Sequence, residues 1–418
     1  MERNLQLTDT ERAMLAGEHG EAVRKAIAQQ IEVGKFFGAP RFVEVTNVHM
    51  MGDVEVMGDN GIRFLRQATA DGARAVRPLT TNARCVDFAW AHGFGQSEQV
   101  TQSEREIISH LEGVGATAVD TCINYQTLYQ PHLGEHVAWG DTGTVIYANS
   151  VFGARTNFES GPAAFAASLT GRTPAYGFHL DVHRQGTFVV ELAFEPSDLA
   201  DWGAIGKIVG EFDLDYFAVP VFTGVRRSPS SDDLKHLGAS LASYGSMAMF
   251  HMVGVTPEAP TVEAALGANG KQAVRTLRIT REDVDAVYAA YPIGDGVASV
   301  VVFSGPQLSL FELSDLAKLF AGRHRAEGTA VFATTSPAIL AEARRLGIAQ
   351  RLEACGVGLL QGVCFYLLER LSDIRRERGW VNFVSNSAKI VNTITAHRFK
   401  TILRRTDECV EIALRGRL

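Results

Sequence analysis

VASVVVFSG, residues 297–305, is apolar at every position from Val297 to Phe303 except Ser299. A strand with one face in water alternates apolar and polar residues, so a run without alternation belongs to a strand covered on both faces. Such strands are typical of parallel sheets sheathed by helices. The same pattern recurs outward along the chain, in GTAVFATT (328–335), GLLQGVCFYL (358–367) and WVNFVSNS (380–387), and earlier in ATAVDTCI (116–123), TFVVELAFE (187–195) and YFAVPVFTG (216–224). Most are separated by helical segments, which predicts an α/β fold of several α/β/α layers with largely parallel sheets, and more than one sheet.

The start of the chain predicts one long amphipathic helix from Asp9 to about Phe37 capped by Thr8, then a strand over RFVEVTNVHM (41–50), a helix over residues 58–72 and a strand over ARAVRPL (73–79). The C-terminal residues 395–418 read as one or two closing helices. Pro, Ser and charge in FTGVRRSPSSDD (222–233) mark a linker or excursion, dividing a first region, 1–225, from a second, 226–418. The 418 residues are 46% apolar and 21% charged, as in ordinary globular proteins. The net charge of -7 is spread without a long basic run, which argues against nucleic acid as a partner. MERNLQLTDTERAML lacks the apolar core of a secretion signal, and no run has the length of a membrane span, so the expected location is the cytoplasm. Five cysteines without a CxxC pair read as free thiols or metal ligands.

Ligands of open parallel sheets sit beyond the carboxyl ends of the strands. Those ends carry Cys122, Cys364, and the group Ser385, Asn386, Ser387 and Lys389. The two thiols read equally as soft metal ligands or as small buried hydrophobes, whereas Cys85, Cys355 and Cys409 read as structural. The turn Arg155–Glu159 sets a guanidinium and the Asn157 amide before a helix start, a pattern suited to a carboxylate or phosphate; the alternative is a capped turn in which Arg155 pairs with Glu159. Glu135 beside His136 offers an acid and a base, and His49 closes its strand. Walker and dinucleotide-binding signatures are absent.

Together LTDTERAMLAGEHGEAV, VTNVHMMGD, GEHVAW, YANSVFGARTNFESGP, LTGRTPAYGFH and SNSAK resemble the catalytic, large-subunit region of aconitase X, a branch of the aconitase superfamily. The resemblance implies a hydro-lyase that removes water from a small hydroxy-carboxylate with an iron-sulfur cluster as Lewis acid, either on cis-3-hydroxy-L-proline or on phosphomevalonate. It implies Cys122 and Cys364 as cluster ligands, with His49, Arg155, Asn157, Ser387 and Lys389 on the substrate side. Glu135 is added as a catalytic candidate, and Glu159 and Asn386 as substrate-binding ones. Where the family has Gly-Cys-Pro-His this chain has SGPQ, so Gly305 stands for a cysteine and Gln307 for a histidine. A cluster then needs another donor, with Cys85, a histidine or a partner's residue as candidates. A small swivel domain is not seen, which implies a separate small subunit, a homo-oligomer or a chain acting alone. The alternatives are a cluster-free isomerase, cyclase or lyase on the same scaffold, or a non-catalytic subunit.

Overall fold

The computed structural model describes residues 5–271, 274–293 and 295–418. Thr8 starts the first helix, Asp9–Ala16, by a reciprocal cap: its hydroxyl accepts from the Glu11 amide, and its own amide donates to the Glu11 carboxylate at 2.7 Å. The expected single helix to Phe37 is two. Gly17 takes φ +87° and ends the first, and the second runs Glu21–Phe36.

Residues 41–50 likewise hold two strands, β1 (Phe42–Glu44) and β2 (Val48–Met50). β2 joins β3 (Leu79–Thr81), β4 (Ala116–Thr117) and β5 (Ala138–Trp139) in a parallel sheet ordered β4-β3-β2-β5. β6 (Arg172–Pro174) pairs antiparallel with β1. A second parallel sheet contains β7 (Phe188–Leu192), β8 (Pro220–Thr223), β9 (His251–Met252) and β10 (Thr276–Ile279), in the order β10-β7-β8-β9. The expected excursion is the connection from β8 to the helix Ser231–Gly245, so residue 225 falls between two strands of this sheet.

The third sheet is built from β11 (Val300–Leu308), β12 (Ala330–Thr335), β13 (Gly358–Gln361), β14 (Asn382–Ser385) and β15 (Lys400–Leu403), all parallel and ordered β13-β12-β11-β14-β15. β15 replaces part of the expected C-terminal helices; only Thr406–Arg415 remains as a long one. Four residues are too few for periodicity to separate strand from helix.

The strand orders matter for function. In the first sheet the chain steps from β2 through β3 to β4, then returns to the other side of β2 for β5. In the third it steps from β11 through β12 to β13, then crosses over to β14 beside β11. Each reversal opens a crevice at the carboxyl ends, because the connecting loops diverge there. An aromatic core fixes the two sheets together. Phe332 of β12 has ring centroids of Trp90, Phe94, Phe365 and Trp380 within 5.6–5.8 Å.

The polar turn Arg155–Glu159 works inside the first region, along the edge of β5. The Arg155 amide donates to the Glu135 carbonyl at 2.8 Å, and the Glu159 amide to the Trp139 carbonyl at 3.0 Å. The Arg155 guanidinium donates to the His179 carbonyl at 3.0 Å and pairs with Asp181. Asn157 donates to the Tyr176 carbonyl and accepts from the Phe178 amide, both at 3.0 Å. Glu159 meets the Thr173 hydroxyl at 2.9 Å and His179 Nε2 at 3.2 Å, and His179 Nδ1 lies 2.9 Å from His136 Nδ1. Three side chains expected to hold a substrate's acid group thus hold residues 173–181 of the chain.

Burial pushes the Glu159 carboxyl up to about 8, against a smaller opposing effect of the Thr173 hydroxyl. Burial and the positive neighbours Arg184 and Arg155 push His179 down to about 3; burial, His179 and Arg155 do the same to His136. The folded chain therefore keeps a proton on Glu159 that the unfolded chain releases above about 4.5, so stability declines as pH rises toward about 8. The histidines act oppositely. Unfolded, they bind protons below about 6.5 that the folded rings refuse down to about 3, so stability also declines in acid. Glu159→Gln should flatten the decline of melting temperature between about pH 6.5 and 8 and leave the acid side unchanged, as followed by calorimetry across pH. Phe332→Ala should cost about 3–5 kcal/mol by emptying the aromatic core, read as a lowered denaturation midpoint.

Candidate functional site

The crevices of the first and third sheets face one cleft of about 770 Å³, partly open to solvent. β3 leads into Asn82, β4 toward Cys122, and β5 into Gly140, Asp141 and Thr142. The third sheet supplies Gly305 and Pro306 from β11, Cys364 from beyond β13, and Lys389 from beyond β14. The strands of the second sheet line none of it.

Two helix starts set the charges. Ser387 caps the helix Ala388–Thr393 by accepting from the Ile390 amide at 3.3 Å, and its hydroxyl donates to the Gly305 carbonyl. That puts Lys389 in the first turn beside the cleft, where its ammonium donates to the Thr142 hydroxyl at 3.1 Å. Asp141 caps the opposing helix Thr142–Tyr147, one carboxylate oxygen accepting from the Gly143 amide at 3.0 Å. Burial alone would lower the Lys389 pKa. The negative potential of Asp141, and of the two thiols when ionised, outweighs it and raises the pKa above the ordinary lysine value.

Cys122 is buried, and its sulfur accepts from the Gln307 amide at 3.3 Å. Burial foremost, with Asp141 adding, pushes its thiol up to about 12 against the opposing Lys389. Cys364 is half-buried, and burial raises its pKa in the same way. His49 lies fully buried outside the cleft lining, with Nδ1 2.8 Å from the Thr80 hydroxyl and Nε2 without a partner. Burial, opposed by Asp141, brings it down to about 4, so it is a neutral ring.

Of the expected site residues, Lys389, Cys122 and Cys364 share the cleft, and Ser387 shapes it through Gly305. His49 stands behind the wall, close to Thr121 and to the cleft residues Asn82 and Asp141; the others lie elsewhere. Glu135 sits at the amino end of β5, bonded to the Thr46 and Tyr129 hydroxyls and 2.5 Å from His132 Nδ1. Six residues of extended chain, about 20 Å, separate it from Asp141. Asn386 donates to the Thr406 hydroxyl at 3.1 Å and anchors the C-terminal helix. Cys85 packs against Glu104, 3.7 Å from a carboxylate oxygen, and is not a wall of the cleft; burial raises its thiol. Arg155, Asn157 and Glu159 are committed to residues 173–181. Asp141, Thr142 and Asn82 were not anticipated, although WGDTG (139–143) is a small polar junction that follows a strand.

Iron-sulfur clusters are held by cysteine thiolates drawn from separate loops. Here two thiols border the cleft, and Gly305 occupies the third expected position. It takes φ +67°, and a Cβ built on it would come within 2.8 Å of Ile390 Cβ. Among the described residues no group of three His, Cys, Asp or Glu side chains is arranged to hold a metal. The donor set does not fit a cluster held by three cysteines.

Among the described residues no helix is long and apolar enough to cross a membrane. Residues 4–182, 186–289 and 298–415 match the families described as aconitase X first, second and third domain, spans that bracket the three parallel sheets. The chain is 32% identical over 359 residues to the phosphomevalonate dehydratase large subunit of Methanothermobacter thermautotrophicus, covering 86% of this chain and 87% of that one. It is also 32% identical over 416 residues to the cis-3-hydroxy-L-proline dehydratase of Pseudomonas aeruginosa, covering 97% of this chain and 70% of that one. The crystal structure of Thermococcus kodakaraensis aconitase X in its holo-form superposes with a TM-score of 0.85 at 28% identity, over 98% of this chain and all of that one. With three matching domains and relatives of this identity, the chain belongs to the aconitase X family.

Proposed function

We propose that the chain is a cytoplasmic hydro-lyase of aconitase X type that eliminates water from a small hydroxy-carboxylate in the cleft between the first and third sheets. The observation that carries this is that Asp141 and Lys389 line one cleft from facing strand-end crevices, the Lys389 ammonium bonded to the Thr142 hydroxyl. The Lys389 ammonium binds the substrate's acid group or hydroxyl in a cleft partly withdrawn from water, where a fixed charge acts more strongly than in bulk solvent. The Asp141 carboxylate removes the proton from the carbon to be unsaturated. That electron pair forms the double bond, the carbon–oxygen bond breaks, and the departing hydroxide takes a proton from Lys389 and leaves as water. Transfer of the proton from Asp141 to the Lys389 amine restores both groups.

Lys389 is the cation among the described residues lining this cleft. A single ammonium suits a monocarboxylate such as a cis-3-hydroxy-L-proline-like acid better than a substrate that also carries a phosphate dianion. The phosphomevalonate reading rests on relatives whose name, large subunit, also supports a separate small chain as partner.

Turnover is tested on cis-3-hydroxy-L-proline and on phosphomevalonate, with and without a candidate small subunit. Lys389→Met and Asp141→Asn should each lower kcat/KM by about 10²–10⁴-fold. Arg155→Ala should leave KM nearly unchanged and lower the melting temperature, its lost contacts costing about 1 kcal/mol. Full activity in Lys389→Met would remove the proposed centre.

A further inference from the structure

Gln307 stands where the family resemblance places a histidine, directly after the Gly305–Pro306 step, and it is bonded on every side. Its amide donates to Cys122 Sγ and its side-chain oxygen accepts from the Cys122 amide, both at 3.3 Å. Its side-chain nitrogen donates to the Asp120 and Val363 carbonyls at 3.2 and 3.3 Å. From behind, its carbonyl accepts from Lys235 Nζ at 3.2 Å. Lys235 is itself 1% exposed and held by Asp232 at 3.0 Å and by Glu312, and His236 Nε2 lies 2.9 Å from the other Glu312 oxygen. Ser309 ties the same segment to Asp232 at 2.7 Å.

A third ligand from this segment would require it to move, because Gln307 turns its side chain to Cys122, Asp120 and Val363 and away from the cleft. Any retreat of Gln307 would also part Lys235 from one of its partners, in a place where buried polar groups must stay paired. Nor is there room for a substitute at Gly305, since Ile390 fills the space a side chain would enter.

We propose that this chain works without an iron-sulfur cluster: Gly305, Pro306 and Gln307, locked from behind by Lys235, close the place of the third thiolate, and Lys389 meets the substrate in the cluster's stead. This rests on the dehydratase reading for its chemistry, while the cofactor assignment is measured independently of turnover.

The full chain is purified without oxygen, incubated with ferrous iron and sulfide under reducing conditions, and desalted. Iron, acid-labile sulfide and the visible spectrum are then measured, and the alkylation rate of half-buried Cys364 is compared before and after. The expected result is no iron or sulfide in proportion to protein, no visible band and an unchanged Cys364 rate. Iron and sulfide retained in proportion to protein, lost in Cys122→Ser and accompanied by protection of Cys364, would overturn the inference whether or not the protein turned over substrate. An iron-free protein that dehydrates either substrate supports both readings. An iron-free protein inactive on both, with and without the small subunit, supports the cofactor inference and removes the dehydratase reading.

Discussion

Gln307 joins all three parts of the molecule at one residue. It belongs to β11 of the third sheet, grips Cys122 and Asp120 of the first region, and receives Lys235 from a helix of the second. A buried donor or acceptor left unpaired costs about 1–3 kcal/mol, and Gln307 offers two main-chain and several side-chain groups that are all matched here. Lys235 extends the constraint. An ammonium with its side chain fully buried is tolerated only among its counter-charges, so the positions of Asp232 and Glu312 set where the lysine, and through it the cleft wall, must be.

That joint brings two reversals of strand order face to face. Either sheet alone would present a shallow crevice with charge of one sign: Asp141 from the first, Lys389 from the third. Opposed, they form a cleft in which the two charges are partly withdrawn from water and raise each other's influence. The thiols respond to the same surroundings. Burial disfavours the thiolate, and Lys389 offsets only part of that, so Cys122 packs as a neutral group. The second sheet stands outside the chemistry and contributes through the helix Ser231–Gly245, which carries Lys235 to the back of the wall.

Much of this was legible in the sequence where burial on two sides leaves a mark. Unalternating runs such as VASVVVFSG identified the parallel sheets, and the strand-end rule picked out Cys122, Cys364 and Lys389 without any knowledge of which sheets face each other. The failures have physical causes. Gly17 and Gly20 in an otherwise periodic segment look tolerable in a helix, but both take a positive φ that ends one helix and precedes the next. Lys400–Leu403 is too short to declare its period. Arg155 misled because a guanidinium serves a main-chain carbonyl as readily as a ligand's carboxylate, and only the approach of His179 and Asp181 decides between them. Asp141 escaped notice for the converse reason: an aspartate before a helix is such a common cap that its free oxygen attracts no attention.

The balance of charge in the cleft bears on which reactions it can support. Elimination from a hydroxy-carboxylate builds negative charge on the acid group as the α-proton leaves, and on oxygen as the carbon–oxygen bond breaks. One ammonium fixed beside Thr142 can meet both in turn if they lie on neighbouring carbons, because the same nitrogen carries three donors. A raised lysine pKa does not hinder the second role, since hydroxide is a far stronger base than any amine. The demand falls instead on Asp141, one of whose carboxylate oxygens is held by the Gly143 amide, so that the other is the one to accept a proton from carbon. An anionic substrate binding at Lys389 competes only with the Thr142 hydroxyl, so the cation that the empty cleft keeps bonded to a neutral group turns to the acid group once the substrate arrives.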